Sequence, residues 1–401
     1  MQLHEFESRL NRPVMMKIPE FERNERLKHV IFSEQFDRGL LDHLGRVATM
    51  IKEIARSKDG HKFLQGLLPH KGAMLYFTQA STRTFLSFMR ACQLLGMKVA
   101  EIRDPSLSSE YKGESPIDSV RMFSSYFDLI IMRSKVPNLA ECCAYLMNDL
   151  DQFNQRSVPV INGGAGADEH PTQALLDIYT IQRVFEFKSP RDSSVWNRFD
   201  DLRKKYPDLN EKGRGPDRKV YGFCGDIGRG RTVRSLANLL TRYENVTMYF
   251  IAPDHPTLRP SPEFLNQLKN KGVRVFESHD LAEVIGELDL LYMTRIQNEH
   301  NSPEEEAFFK QLDYTRFQLS EEMLKKMREY TAILHPFPRN QEIPTFVDQD
   351  PRAMYFRQAR NGMWVRAALI AYLFDMDGRI VSYHTSTFSS FHDYNEGVLK
   401  A

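Results

Sequence analysis

The sequence predicts an α/β protein made of two doubly wound parallel-sheet domains joined by helices. Three observations carry this expectation. Short apolar runs of strand length alternate with stretches of helical periodicity, the pattern of parallel sheets covered on both faces. The alternation is interrupted once, by a charged, Pro- and Gly-rich stretch at 188–218, and then resumes. With 401 residues, 41% of them hydrophobic, the chain can bury two cores rather than one.

Composition removes several classes of function. A net charge of +1, without a basic block carrying interleaved aromatics, argues against a nucleic-acid partner. The longest apolar runs, such as Leu288–Met293, are far shorter than a membrane span, and the start MQLHEFESRL lacks a hydrophobic signal core. A cytoplasmic protein with no membrane partner is therefore expected. Cys92, Cys142, Cys143 and Cys224 show no CxxC or Cys/His ligand spacing, so buried thiols are expected, without a structural metal or a disulfide framework.

Residues 1–40 are charged and weakly periodic, and read as an N-terminal extension that runs into a helix from about Arg38 to Ser57. The first domain, 41–187, is organised around AMLYFTQASTRTFLSFMRACQLLG at 73–96. Ala73–Thr78 has strand length, and Phe85, Phe88, Met89, Cys92 and Leu95 recur at helical spacing until Gly96. The turn Ser81, Thr82, Arg83, Thr84 thus lies at a helix N-terminus. Unpaired N–H groups, the helix dipole, three hydroxyls and a guanidinium all favour an anion there. Viewed alone, the same turn reads as an ordinary N-cap.

A strand at 98–104 leads into the loop PSLSSEYKGESP with Ser108 and Lys112, where Lys112 is either a solvated charge or a group delivered to a ligand. Helix 116–126, the strand FDLIIMRS ending near Arg133, helix 137–150 and the strand VPVINGG follow. His170 then precedes a helix begun by Pro171, and Gln173 lies three residues on. Ligands in such sheets bind beyond the carboxyl ends of strands, where Ser81–Thr84, Arg133 and His170 all fall. Their coincidence favours a binding site over three unrelated caps.

The second domain, 219–356, repeats the alternation with the strands VYGFCGD, VTMYFIAPD, VRVFES, LDLLYMTR and TAILHPFPR. Its turn GDIGRGRT lacks both G-x-G-x-x-G and GK[ST], so no nucleotide is expected. Arg231 at this turn, with Arg295 and Gln297 after LLYMT, either clamp a dicarboxylate or are surface residues. The bend His335–Arg339 is held rigid by prolines and presents backbone carbonyls. An apolar helix at about 357–375 packs back on the first domain, and 376–401 reads as a polar tail.

Taken together, S-T-R-T (81–84), K-G-E (112–114), M-R (132–133), H-P-T-Q-A-L-L-D (170–177), G-R-T-V (230–233), T-R-I-Q (294–297) and H-P-F-P-R-x-x-E-I (335–343) resemble the transcarbamylases, and within them the aspartate branch. The resemblance covers roughly 40–375. It implies transfer of the carbamoyl group of carbamoyl phosphate to the amino group of L-aspartate, a step of pyrimidine synthesis, with no cofactor. It further implies that Ser81, Thr82, Arg83 and Thr84 hold the phosphate, and that Thr84, Arg133 and His170 polarise the carbonyl. Gln173 and the backbone of Pro336 and Phe337 would hold the carbamoyl amide. Arg231, Arg295 and Gln297 would bind aspartate in a cleft that closes between the domains. Ser108 and Lys112 would arrive from a neighbouring subunit of a homotrimer.

Donors preorganised around a carbonyl oxygen stabilise the charge that amine attack develops there, so no covalent nucleophile is required. The sequence departs from the family pattern at Gln79, where Glu is usual, at His300, where Arg is usual, and at Phe85 and Met89. Two alternatives stay open: a transcarbamylase for ornithine or acylated ornithine, and a catalytically silent regulatory homologue.

Overall fold

The computed structural model describes residues 3–104, 113–164, 169–186, 199–296 and 305–398. The chain divides into two compact units, one of Met1–Leu176 with Arg360–Ala401 and one of Asp177–Ala359. Ser108, Lys112, Gln297 and His300 lie outside the described residues.

The first unit holds a four-stranded parallel sheet of β1 (Gly72–Phe77), β2 (Lys98–Ile102), β3 (Leu129–Arg133) and β4 (Val160–Asn162), in the order β2-β1-β3-β4. Its helices include α1 (Arg38–Ile54), α2 (Thr82–Leu94), α3 (Pro116–Tyr126), α4 (Leu139–Gln152) and the first residues of α5 (Pro171–Phe185). β1 and β3 are apolar almost throughout because both faces are covered, as a parallel sheet requires. α3 begins where it does because Ser115 accepts from the Asp118 N–H at 3.1 Å and Pro116 suits the first turn.

The N-terminal segment, expected as an extension, packs into the core of the first unit. Phe6, Phe21 and Ile31 are buried against Tyr145, Met147 and Val160. Val30 pairs in parallel with Ile161, adding one bridge beside β4. His29 is fully buried, with Asn148 at 3.2 Å from Nε2 and the Val160 N–H donating to Nδ1 at 3.0 Å. Burial pushes this imidazole down to about 3, so it serves as a neutral tether.

The C-terminal segment is likewise no tail. It forms a final helix, Asp377–Val398, which packs on α1. Asp377 accepts from Arg26 at 2.8 Å and lies 2.7 Å from His43, His384 lies 2.7 Å from Glu53, and the Tyr383 ring stacks on Phe63 at 3.9 Å. These partners come from the first 63 residues of the chain, so the local Ser/Thr-rich composition gives no sign of the helix.

The second unit holds β5 (Val220–Cys224), β6 (Thr247–Ile251), β7 (Arg274–Ser278), β8 (Leu290–Met293) and β9 (Ala332–Leu334), all parallel in the order β9-β8-β5-β6-β7. α6 (Arg231–Leu240) and the start of α7 (Tyr355–Leu373) belong to it. Part of the stretch read as a linker is helical, at Phe199–Lys205 and Leu209–Lys212. Buried Lys219 fastens it, donating to the carbonyls of Lys212, Gly213 and Asp217 at 2.9–3.0 Å. All four cysteines are buried, and none forms a disulfide among the described residues. No helix among the described residues is long and apolar enough to cross a membrane.

Candidate active site

Each unit has one place where the strand order reverses. In the first it falls between β1 and β3, in the second between β5 and β8. Reversal opens a crevice at the carboxyl ends of the two strands, because their following connections leave toward opposite faces.

In the first unit the register sets Phe77 beside Arg133 and Met132 beside Asn162, so three strands end abreast. β1 leads to Ser81–Thr84. Ser81 has extended φ (−163°) and makes no side-chain capping bond, so the hydroxyl is not spent on its own helix. Thr82 and Arg83 reach solvent on the first turn of α2 and Thr84 is buried; the Arg83 guanidinium is screened from water only in part, enough to lower its pKa. Phe85, one residue on, is a core residue. Its ring meets Phe77 edge-on at 5.5 Å and lies 4.8 Å beneath the Arg103 guanidinium, which accounts for an aromatic residue after the turn.

Arg133 at the end of β3 is buried and donates to the Gly163 carbonyl at 3.1 Å. His170 is buried at the start of α5, where its carbonyl accepts from the Gln173 N–H at 3.0 Å and the Ala174 N–H at 3.2 Å. Gly164 brings the two together. Its φ is +93°, and a Cβ there would lie 2.6 Å from Arg133 Nη1 and 2.6 Å from His170 Cδ2. A guanidinium and an imidazole thus flank one glycine, beside the turn that follows β1. This arrangement can receive a phosphate and polarise a carbonyl next to it.

In the second unit Met293 pairs with Cys224 and Tyr292 with Leu334, so β5, β8 and β9 also end abreast. Arg231 opens α6 after β5, Arg295 follows β8, and Pro336 and Phe337 follow β9. Gly225 (φ +117°) lets these ends approach, since a Cβ there would lie 2.0 Å from the Thr294 carbonyl. Buried Asp226 shapes the turn before Arg231 by accepting from the Arg229 N–H at 3.2 Å and Nε at 3.0 Å.

Residues 28–183 match the family model described as aspartate/ornithine carbamoyltransferase, carbamoyl-P binding domain, and residues 217–373 match its Asp/Orn binding domain. The chain belongs to the aspartate/ornithine carbamoyltransferase family. Among curated carbamoyltransferases, the aspartate carbamoyltransferase catalytic subunit of Methanosarcina acetivorans is 36% identical over 344 residues, covering 86% of this chain and 96% of the relative. Aspartate carbamoyltransferase 1, chloroplastic, of Pisum sativum is 36% identical over 352 residues, covering 86% and 78%. The solved catalytic subunit of M. jannaschii aspartate transcarbamoylase superposes with a TM-score of 0.69 at 32% identity, covering 87% of this chain and 98% of that one. The Trypanosoma cruzi aspartate transcarbamoylase in complex with aspartate and phosphate gives 0.67 at 30%, covering 86% and 95%.

Within this carbamoyltransferase fold, three residues that sequence reasoning passed over organise the first crevice. Gly164 is one. Asn162 is another: its side chain accepts from the Gly164 N–H at 2.8 Å and donates to the Ile31 and Glu169 carbonyls at 3.2 and 3.3 Å. Ser33 is the third, donating through N–H (2.7 Å) and hydroxyl to Glu169, the neighbour of His170. The Glu169 carboxyl is pushed up by burial and by the charge of Glu34, whose carboxylate lies 3.2 Å from the Ser33 hydroxyl oxygen. The only advance sign of these residues was N-G-G at a strand exit. Among the described residues no cluster of His, Cys, Asp and Glu fit to hold a metal is present.

Proposed function

We propose that this chain is an aspartate carbamoyltransferase, converting carbamoyl phosphate and L-aspartate to N-carbamoyl-L-aspartate and phosphate. The observation that carries the reading is the pairing of Arg133 and His170 around Gly164, beside an uncapped Ser-Thr-Arg-Thr turn. We assign the phosphate to Ser81, Thr82, Arg83 and Thr84, and the carbonyl oxygen to Thr84, Arg133 and His170. The carbamoyl amide goes to Gln173 and the backbone of Pro336 and Phe337. Aspartate goes to Arg231, Arg295 and Gln297.

The aspartate amine attacks the carbonyl carbon, and charge gathers on an oxygen that already faces fixed donors. The bond to the phosphate oxygen then breaks. Phosphate leaves with the electron pair and takes up the amine proton, so no carboxylate base is needed. Ser108 and Lys112 are assigned to the site of an adjacent subunit in a homotrimer.

One steady-state assay with aspartate, ornithine and acetylornithine as acceptors tests the reading. Aspartate is expected to be carbamoylated fastest, and Arg295→Ala is expected to raise its KM. Faster turnover of ornithine would overturn the choice of substrate, and no turnover of any acceptor would favour a silent homologue. For the shared site, Arg83→Ala and Lys112→Ala proteins, each inactive, are expected to recover activity when mixed and reassembled. Silence despite proven subunit exchange would count against it.

A further inference from the structure

The loop after β9 contains a hydrogen-bond network centred on His335 and Glu342, to which the assignments above give no role. His335 is almost fully buried, and its two ring nitrogens do different things. Nδ1 accepts from the Phe337 N–H at 2.8 Å, and Nε2 faces Glu342 Oε1 at 2.9 Å. Only one neutral tautomer satisfies both contacts, with the proton on Nε2 and a lone pair on Nδ1. Glu342 Oε1 also accepts from the Asn340 N–H at 2.8 Å, closing the loop on itself. Burial alone would raise the pKa of this carboxylate, but the His335 and Asn340 hydrogen bonds bring it below its ordinary value, so it stays an acceptor for both.

The histidine is itself anchored from behind. Its N–H donates to Gln358 Oε1 at 2.8 Å, Gln358 donates to Asp177 Oδ1 at 2.6 Å, and the Tyr292 hydroxyl donates to Asp177 Oδ2 at 2.9 Å. Asp177 and Gln358 are fully buried or nearly so. A fixed line therefore runs from the sheet to the main-chain N–H of His335.

What the imidazole holds is an unusual piece of backbone. Phe337 has φ +57°, a region that bulky residues seldom occupy and that persists only where surroundings enforce it. In a trans peptide the carbonyl points opposite to the following N–H. With the Phe337 N–H aimed at His335 Nδ1, the Pro336 carbonyl is turned away from the ring.

We propose that His335, oriented by Glu342, is a positioning residue that aims the Pro336 carbonyl at the carbamoyl amide of carbamoyl phosphate. This rests on the assignment of Pro336 and Phe337 made above. The contact exists only for a ligand with an amide, so it separates carbamoyl phosphate from inorganic phosphate. Its loss is expected to weaken the first and leave the second alone.

The test measures the KM for carbamoyl phosphate and inhibition by inorganic phosphate in the assembled wild-type enzyme, His335→Leu, His335→Asn and Glu342→Leu. His335→Leu is expected to raise the carbamoyl phosphate KM about tenfold, the worth of one well-placed hydrogen bond, with phosphate inhibition unchanged. His335→Asn is expected to recover most of that affinity, because its side-chain oxygen accepts from the N–H two residues on. Should His335→Leu fail to fold, Glu342→Leu carries the test, since its imidazole keeps Nδ1 but loses what fixes the tautomer. An unchanged KM, a parallel loss of phosphate inhibition, or no recovery in His335→Asn would overturn the proposal. A wild-type enzyme inactive toward carbamoyl phosphate and aspartate would overturn the functional reading itself, and this inference with it.

Discussion

Replacing Gly164 by alanine disturbs the first crevice in two ways that can be measured separately. The backbone there has φ +93°, which an L side chain adopts at a cost of about 1–2 kcal/mol. The added methyl would also lie 2.6 Å from both Arg133 Nη1 and His170 Cδ2, about 0.8 Å short of the 3.4 Å at which ordinary contact begins. Both side chains must retreat, and a misplacement approaching 1 Å at reacting groups lowers turnover by about a hundredfold. Gly272 supplies the control. Its φ is +83° and nothing lies within 4 Å of where a methyl would stand, so Gly272→Ala carries the backbone cost without the collision. Thermal unfolding is expected to fall by about 2–4 °C in Gly272→Ala, and by more in Gly164→Ala. In the carbamoylation assay, kcat is expected to drop about a hundredfold in Gly164→Ala alone. Equal kcat values for the two variants would refute the claim that Gly164 sets the spacing of Arg133 and His170.

Three further outcomes are expected. The Glu169 carboxyl is raised from 4.5 to about 8 by burial and by Glu34, so the folded chain holds a proton that the unfolded chain releases. The contribution of this one group is then fully present below pH 4.5 and is lost as pH rises toward about 8; thermal melts across that window, compared with Glu34→Gln, should show a steeper decline in the unsubstituted chain. Arg366 is buried over the Phe88 ring at 4.7 Å and donates to Ser87 on α2 and to Thr172 on α5; Arg366→Leu should cost about 2–3 kcal/mol in denaturant unfolding. Asp377→Ala strips Arg26 and His43 of a shared acceptor and should cost about 1–3 kcal/mol by the same measurement.

The sheets were legible in the sequence because a parallel strand buried on both faces is a local apolar run, and FDLIIMRS or LDLLYMTR needs no distant information to be read. The turn at Ser81–Thr84 was legible for a related reason: its hydroxyls, its charge and its helix are contiguous. Gly164 was not, because its meaning lies in Arg133, thirty-one residues earlier, and sequence shows only that a glycine follows a strand. The bend at His335–Arg339 was read as a pair of prolines holding a turn rigid. Its actual fastening is the imidazole and Glu342, and neither residue type announces which nitrogen faces which donor. The packing of both chain ends was not legible, for one shared reason. Phe21 and Tyr383 sit in weakly periodic, polar surroundings and acquire partners only when the first unit closes.

The grip of Ser33 on Glu169 spans 136 residues of chain. Loops of that length close late, after nearby strands and helices have already formed. The neighbour of His170 therefore reaches its final setting only once the opening segment has docked. The same contact ties residues 28–36, which pass beside β4, to the start of α5. A change at the amino terminus that unseats Ser33 should be judged by turnover as well as by thermal unfolding, since the same segment buries Phe6, Phe21 and Ile31.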